Sequence, residues 1–261
     1  MTGLRVLQVV EATTAGVGRH VMDLSGAMLR AGLEVRVACP AVREGARQDT
    51  ALVGRLQEAG VPVHLLPMRR AIRPAADLRA GRLLLGLIRE FKPDVVHAHS
   101  SKAGVLGRLA ARLARRGGGR PVTVYTPNAF AFSGARSRPA RLLLRGIERW
   151  LGHHATDALV CVSRSEWDQA RRYDVAPPGR LKLIENAVDA GRFAELADPG
   201  PARRALGLAP DRPVVGFVGR LTRQKGASTF IDAALRVLDA DGEAQFLLVG
   251  EGEQELSLIH I

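Results

Sequence analysis

Short apolar runs rich in β-branched residues alternate along this chain with stretches whose apolar positions recur at helical spacing. The first run, Leu4 to Glu11 (LRVLQVVE), reads as a buried strand ending in a turn at Thr13, Thr14 and Gly16. Val17 to Ala31 follows with Val21, Leu24, Met28 and Leu29 on one helical face and Gly32 as a stop. Further strands are predicted at Glu34 to Cys39, Pro62 to Leu66, Asp94 to His99, Val122 to Thr126, Ala158 to Ser163 and Leu181 to Glu185. The helices between them are predicted at Ala76 to Phe91, Lys102 to Arg115, Pro139 to Leu151 and Arg164 to Tyr173. Strands apolar on both faces and alternating with helices predict an α/β fold with a doubly wound parallel sheet, in which ligands sit at the carboxyl ends of the strands.

A second unit is expected after a linker at 198–213, where four prolines fall. Strand Val214 to Val218, helix Gly226 to Ala240 and strand Gln245 to Val249 then make one β-α-β. The expected domains are 1–197, a complete Rossmann-like unit, and 214–261, the start of a second. Two strands and one helix cannot enclose a doubly wound core, so a C-terminally truncated sequence is expected. The apolar tail Ser257 to Ile261 also fits the pattern poorly.

Composition narrows the classes. With 261 residues, 46% hydrophobic and 25% charged, the chain is neither a disordered tail, a collagen-like fibre nor a disulfide scaffold. Cys39 and Cys161 lie inside strand-like runs and read as reduced core thiols of a cytosolic protein. No apolar run is long enough to cross a bilayer, and no cleavage pattern follows the first strand, so no signal peptide is expected. Lys+Arg 38 against Asp+Glu 26 gives a net charge of +12, which favours anionic partners: nucleic acid, an acidic membrane surface or phosphorylated ligands. Aromatic residues at 4% leave few stacking platforms and disfavour nucleic acid. Arg141, Arg145 and Arg149 share a helix face beside the apolar stripe Leu143, Ile147, Trp150 and Leu151, and Arg108, Arg112 and Arg115 repeat this on another helix. Like charges at this spacing repel, and an anionic membrane would relieve them; solvated faces are the alternative.

Three strand ends carry candidate chemistry. In the loop Ala15-Gly16-Val17-Gly18, small residues let a helix N-terminus approach a phosphate, a plain turn being the alternative. A dinucleotide fingerprint is incomplete there, since Val21 stands at its third glycine position and Cys39-Pro40 ends the second strand without an acid. His97 and His99 point to the same side of their strand ahead of Ser100-Ser101 at a helix start. With no third ligand adjacent, a metal is not expected; His97 is expected to be satisfied and partly buried, His99 to face a ligand. In Gly219-Arg220-Leu221-Thr222-Arg223-Gln224-Lys225-Gly226, two cations converge on a helix N-terminus and make a diphosphate cradle, with solvated surface charge as the alternative.

The segments GVGRHVMDL, VVHAHSSKAGVLGRLAAR, YTPNAFAF, LVCVSRSE, IENAVDAGRF and VGFVGRLTRQKG with LLVGEGE occur in the order found in family 4 glycosyltransferases of the GT-B fold, which this chain resembles up to about Gly252. The resemblance implies two Rossmann-like domains facing across a cleft, the first binding a glycan or lipid-linked acceptor and the second a nucleotide-diphosphate sugar. It implies a retaining hexosyltransferase of cell-surface glycan synthesis, with no cofactor or metal. It also implies a cytoplasmic location, peripheral on the inner face of the membrane. Carried over by position, Gly16, with Gly18 in the same loop, approaches the donor diphosphate and His99 stands by the donor sugar. Arg220 and Lys225, after Gly219, hold the diphosphate and stabilise the leaving group, while Asn128 and Ser163 line the cleft, a helix cap being the equal alternative for Ser163. Ala15 replaces the usual first glycine, Asn128 the usual histidine of the YTP-H segment, and Ala187 the usual glycine of the N-G-V-D turn. The family's E-x7-E segment is absent from this sequence, so the polypeptide as it stands is expected to lack most of the nucleoside pocket and to be inactive. A non-catalytic GT-B-like protein binding a nucleotide or phospholipid is the alternative.

Overall fold

The computed structural model describes residues 3–41, 51–118, 121–188, 190–193, 198–240 and 242–255. The chain divides into two compact units, Met1–Ala187 and Val188–Ile261.

In the first unit the order is β1 (Arg5–Val10), α1 (Ala15–Arg30), β2 (Glu34–Cys39), α2 (Ala51–Glu58), β3 (Val63–Leu65), α3 (Pro74–Phe91), β4 (Val95–His99) and α4 (Ser101–Arg116). It continues with β5 (Val122–Thr126), α5 (Arg138–His154), β6 (Ala158–Cys161), α6 (Arg164–Arg172) and β7 (Leu181–Leu183). The strands form one sheet in the order β3-β2-β1-β4-β5-β6-β7, every pair parallel. The expected doubly wound parallel sheet is therefore present. Helix α2 was not anticipated by the apolar pattern. Strand order reverses between β1 and β4, so the crevice such a sheet offers to ligands lies at the carboxyl ends of those two strands.

Both faces are covered. Successive residues of β1 alternate between two cores: Leu7 and Val9 join Leu84, Phe91, Ala110 and Tyr125, whereas Val10 joins Val21, Val35, Val37 and Leu56. Cys39 and Cys161 are buried free thiols, and burial pushes both up to about 12.

Helix α4 lies close to the sheet because Gly104 has no side chain: a Cβ there would stand 2.3 Å from the Tyr125 ring. One turn on, Arg108 is fully buried and its Nη2 donates to Glu148 Oε2 of α5 at 2.7 Å. Its Nε donates to the Gly104 carbonyl at 2.7 Å, its guanidinium lies 3.7 Å from the Tyr125 ring centroid, and the Tyr125 hydroxyl donates to Glu148 Oε1 at 3.0 Å. Arg108 is thus no part of a solvated basic face, which corrects the sequence reading. Arg112 and Arg115 are also internally engaged, Arg112 with the His154 carbonyl and Arg115 with the Pro121 carbonyl and Asp157. On α5 the stripe Leu143, Ile147, Trp150 and Leu151 divides: only Leu151 is buried, and the other three are exposed.

The second unit holds α7 (Pro199–Ala205), β8 (Val214–Val218), α8 (Ala227–Ala240) and β9 (Gln245–Val249), with β8 and β9 parallel. The stretch read as a linker carries α7, capped by Asp198 accepting from the Gly200 N–H at 2.9 Å. A small cluster of Leu221 and Ala227, with Phe217, Ile231 and Leu248 against it, packs α8 on the strands.

Removing one partner of a buried ion pair leaves the other charge uncompensated. Glu148→Gln is therefore expected to cost about 3–5 kcal/mol of stability in denaturant titration. Adding Arg108→Met should lose less than the sum of the two single changes, the sign of a coupled pair.

Candidate functional site

Backbone strain marks the carboxyl ends of the central strands. The described non-glycine residues with positive φ are Ala15, Lys92, Ser100, Asn128, Ala129 and Asp174. Four of them follow three adjacent strands: Ala15 (φ 55) after β1, Ser100 (φ 64) after β4, and Asn128 (φ 52) with Ala129 (φ 84) after β5. Ser100, at ψ 170, occupies a region otherwise left to glycine. Such conformations persist only where surrounding contacts impose them, and this concentration falls at the switch point of the sheet. Ala187 is not among the positive-φ residues, so its turn is free of the strain that a missing glycine would bring there.

On the α1 side of the sheet, three imidazoles touch. His97 and His99 have ring centroids 4.0 Å apart, and His20, on α1, meets His99 edge-on at 5.4 Å. His99 is fully buried rather than open to a ligand, with its Nε2 2.6 Å from Gln8 Oε1. His97 is buried too, its Nε2 2.8 Å from Thr126 Oγ1. His20 is half-buried and is the member nearest solvent. Burial pushes His97 down to about 3, with His20 adding repulsion. Burial, then His97 and His20, hold His99 well below 6.5. Burial also lowers His20, against the opposing influence of Asp23 and a hydrogen bond with Asn186. All three rings are therefore neutral at pH 7. His20 Nε2, His99 Nδ1 and Ser100 Oγ are buried and without hydrogen-bond partners.

The two glycines of the β1–α1 loop have different causes. A Cβ on Gly18 would stand 2.3 Å from the Thr13 carbonyl oxygen, so packing alone requires it. A Cβ on Gly16, itself in the first turn of α1, would meet nothing within 4 Å. That turn holds no acidic residue and receives no side-chain cap from Thr14 at its N-cap.

Asn128 turns its amide back to the Thr126 carbonyl at 3.3 Å. Ser163 is the N-cap of α6, accepting from the Glu166 N–H at 3.2 Å. Glu166 is buried, and its carboxylate accepts from the Ala129 N–H and, at 2.9 Å, from the Val162 N–H. It thereby holds the strained turn after β5 against the end of β6. Sequence reasoning missed Gln8, His20 and Glu166. A glutamine inside an apolar strand and the S-x-x-E spacing of Ser163 and Glu166 were the available signals.

In the second unit, Gly219 and Arg220 follow β8 and Lys225 closes a one-turn 3-10 helix, Arg223–Lys225, just ahead of α8. A Cβ on Gly250 would stand 1.8 Å from the Gly219 carbonyl oxygen, so the loop after β9 lies directly on this turn. The side chains of Arg220 and Lys225 are exposed and form no ion pair or hydrogen bond among the described residues. Their unit is distinct from the one carrying Gly16 and His99. No group of three or more His, Cys, Asp or Glu suited to a metal ion occurs among the described residues.

Comparison with known proteins adds the following. The profile of Glycosyltransferase Family 4 matches residues 14–192, and that of glycosyl transferases group 1 matches residues 212–260. A UDP-Gal:alpha-D-GlcNAc-diphosphoundecaprenol alpha-1,3-galactosyltransferase of Escherichia coli is 32% identical over 187 residues, covering 70% of this chain and 47% of that protein. A GDP-mannose-dependent alpha-mannosyltransferase of Mycobacterium tuberculosis is 30% identical over 261 residues, covering 97% of this chain and 64% of that one. The chain spans about half the length of the curated relatives it matches. The solved structure of Anabaena HepE in complex with UDP and glucose shares the fold, with a TM-score of 0.75 at 20% identity over 98% of this chain and 65% of that one.

The histidine cluster sets a pH dependence. An imidazole whose folded pKa lies below the unfolded 6.5 takes up its proton in the unfolded chain first, so stability is full above 6.5 and falls as pH drops below it. For His97 that loss continues down to about 3. Denaturant midpoints are expected to fall with acid from about pH 6.5, each buried histidine contributing up to about 1.4 kcal/mol per pH unit. His97→Gln should flatten the slope.

Proposed function

The chain belongs to glycosyltransferase family 4, and on that premise we propose that it transfers a hexosyl group from a nucleotide-diphosphate sugar to a glycan or lipid-linked acceptor with retention of configuration. The observation that carries this reading is the pair of exposed cations Arg220 and Lys225, without ion-pair partners among the described residues, in the turn between the end of β8 and the start of α8. Departure of a nucleoside diphosphate builds negative charge on its phosphates. Cations already fixed at a helix N-terminus stabilise that charge more in the transition state than in the ground state. The relative that acts on a diphosphoundecaprenol-linked sugar supports a lipid-linked acceptor here.

In the first unit, the open space at Gly16 in the first turn of α1, a turn with no acidic residue, suits an anionic ligand group. His99, neutral at pH 7, acts by hydrogen bonding rather than as a cation, with His20 between it and solvent. Asn128, an amide, likewise orients without exchanging protons. Nothing in this scheme calls on a metal or cofactor.

The acceptor reading extends to a lipid surface. On α5, Leu142 and Leu143 are 55% and 65% exposed and Trp150 is 48% exposed. Arg138, Arg141, Arg145 and Arg149 lie on the same helix, whose one acid, Glu148, is turned inward onto Arg108. Arg149 is paired with Asp174, Arg145 lies over the Tyr173 ring and Arg141 donates to the Ala135 carbonyl, so the face is less free than its spacing suggested. An apolar strip edged by arginines suits an interface rich in anionic headgroups. Among the described residues no helix is long and apolar enough to cross a membrane.

Release of nucleoside diphosphate from nucleotide sugars, by the protein expressed from its whole reading frame, tests the enzymatic reading. Arg220→Ala and Lys225→Ala are each expected to lower turnover by about 100-fold or more; turnover equal to wild type would remove both from the diphosphate site. For the lipid surface, Leu142→Ser with Leu143→Ser and Trp150→Ser should abolish sedimentation with phosphatidylglycerol-rich vesicles. Undiminished sedimentation would sink that part of the proposal.

A further inference from the structure

Strand β1 carries one polar side chain in its buried interior. Val6, Leu7, Val9 and Val10 are what a strand covered on both faces requires, and Gln8 is not, though it is fully buried. Gln8 registers opposite His97 across the β1–β4 ladder, yet its oxygen reaches the next histidine along, His99. That diagonal of 2.6 Å needs the full length of a glutamine.

The other end of the amide fixes its orientation. Gln8 Nε2 lies 3.4 Å from Ser25 Oγ and 3.4 Å from Met28 Sδ, and a thioether sulfur has lone pairs but no hydrogen to give. The NH2 group therefore faces α1 and the carbonyl oxygen faces the imidazole. A carbonyl oxygen can only accept, so the hydrogen in the Gln8–His99 contact belongs to His99 Nε2. In a neutral ring the lone pair is then on Nδ1. That atom is buried without a partner, as are Ser100 Oγ on the strained residue that follows and His20 Nε2 on the ring that touches it. An orphaned buried acceptor destabilises the fold, a cost that a ligand hydroxyl would offset.

We propose that Gln8 is a positioning residue for His99: it holds the imidazole as the Nε2–H tautomer and so keeps Nδ1, buried in the unliganded chain, as a bare acceptor that a hydroxyl of the sugar substrate reaches once the neighbouring half-buried His20 ring shifts. The tautomer stands on contacts within the chain alone, whereas the sugar rests on the glycosyltransferase reading.

Long-range 1H–15N correlation spectra of histidine-labelled protein at neutral pH separate the two. In the unliganded wild type, His99 is expected to show a pyrrole-like Nε2 and a pyridine-like Nδ1. Gln8→Met, close in volume and with only a weakly accepting thioether in place of the amide oxygen, should lose that pattern, while Gln8→Glu, which keeps an acceptor oxygen in place, should retain the proton on Nε2. A wild-type His99 protonated on Nδ1 overturns the proposal without any variant, as does a Gln8→Met protein whose His99 is unchanged. In turnover of a nucleotide sugar by the protein expressed from its whole reading frame, wild type and variant alike, Gln8→Met should lower kcat about 10- to 100-fold with KM little moved. The expected tautomer together with no turnover by wild type would overturn the enzymatic reading and leave the role of Gln8 standing. The expected tautomer with unaltered kcat in Gln8→Met would overturn the link between Gln8 and the sugar.

Discussion

A parallel sheet covered on both faces leaves no water for the polar side chains it carries, and every such group must find its partner inside. Two polar networks answer that demand at neighbouring positions of β5. Tyr125 points to the α4 side, where Arg108 and Glu148 complete its contacts. Thr126 points to the α1 side, where it meets His97 beside the Gln8–His99 pair. The first network is closed except for Arg108 Nη1, and it ties α4 and α5 to the sheet. The second leaves ring nitrogens and a hydroxyl without partners at the strand ends. One network is therefore architecture, and the other has capacity left for a ligand.

Most of the architecture was legible because β-branched runs and helical spacing are local signals. The failures have local causes as well. Helix α2 is eight residues long, too short for two clear repeats of its apolar face. Helix α7 was hidden by prolines read as linker, although Pro199 stands in its first turn, where the missing N–H costs nothing. Arg108 was misread because spacing gives the face of a helix but not what lies opposite, and its partner Glu148 is 40 residues away.

The candidate site was legible in part. Order of motifs pointed to Gly16, His99, Arg220 and Lys225; the structure puts His99 at the end of β4, Arg220 just after β8, Gly16 in the first turn of α1 and Lys225 in the one-turn helix ahead of α8. That His99 is covered, that His20 stands in front of it, and that Gly18 but not Gly16 is required by packing all depend on contacts between distant segments. The positive φ of Ala15 was legible only through the glycine that the family loop usually has there, since alanine itself carries no mark of the strain its turn imposes.

Glu166 divides its two oxygens between the Ala129 N–H after β5 and the Val162 N–H after β6, while its own N–H is held by Ser163. A single carboxylate thus makes two loops and the first turn of α6 into one mechanical piece. Through that carboxylate the first turn of α6 is bonded to the strained turn at Asn128 and Ala129, more than 30 residues earlier in sequence. Geometry at the end of β5 is in this sense governed remotely, by an element that contributes no candidate ligand contact of its own beyond the cap at Ser163.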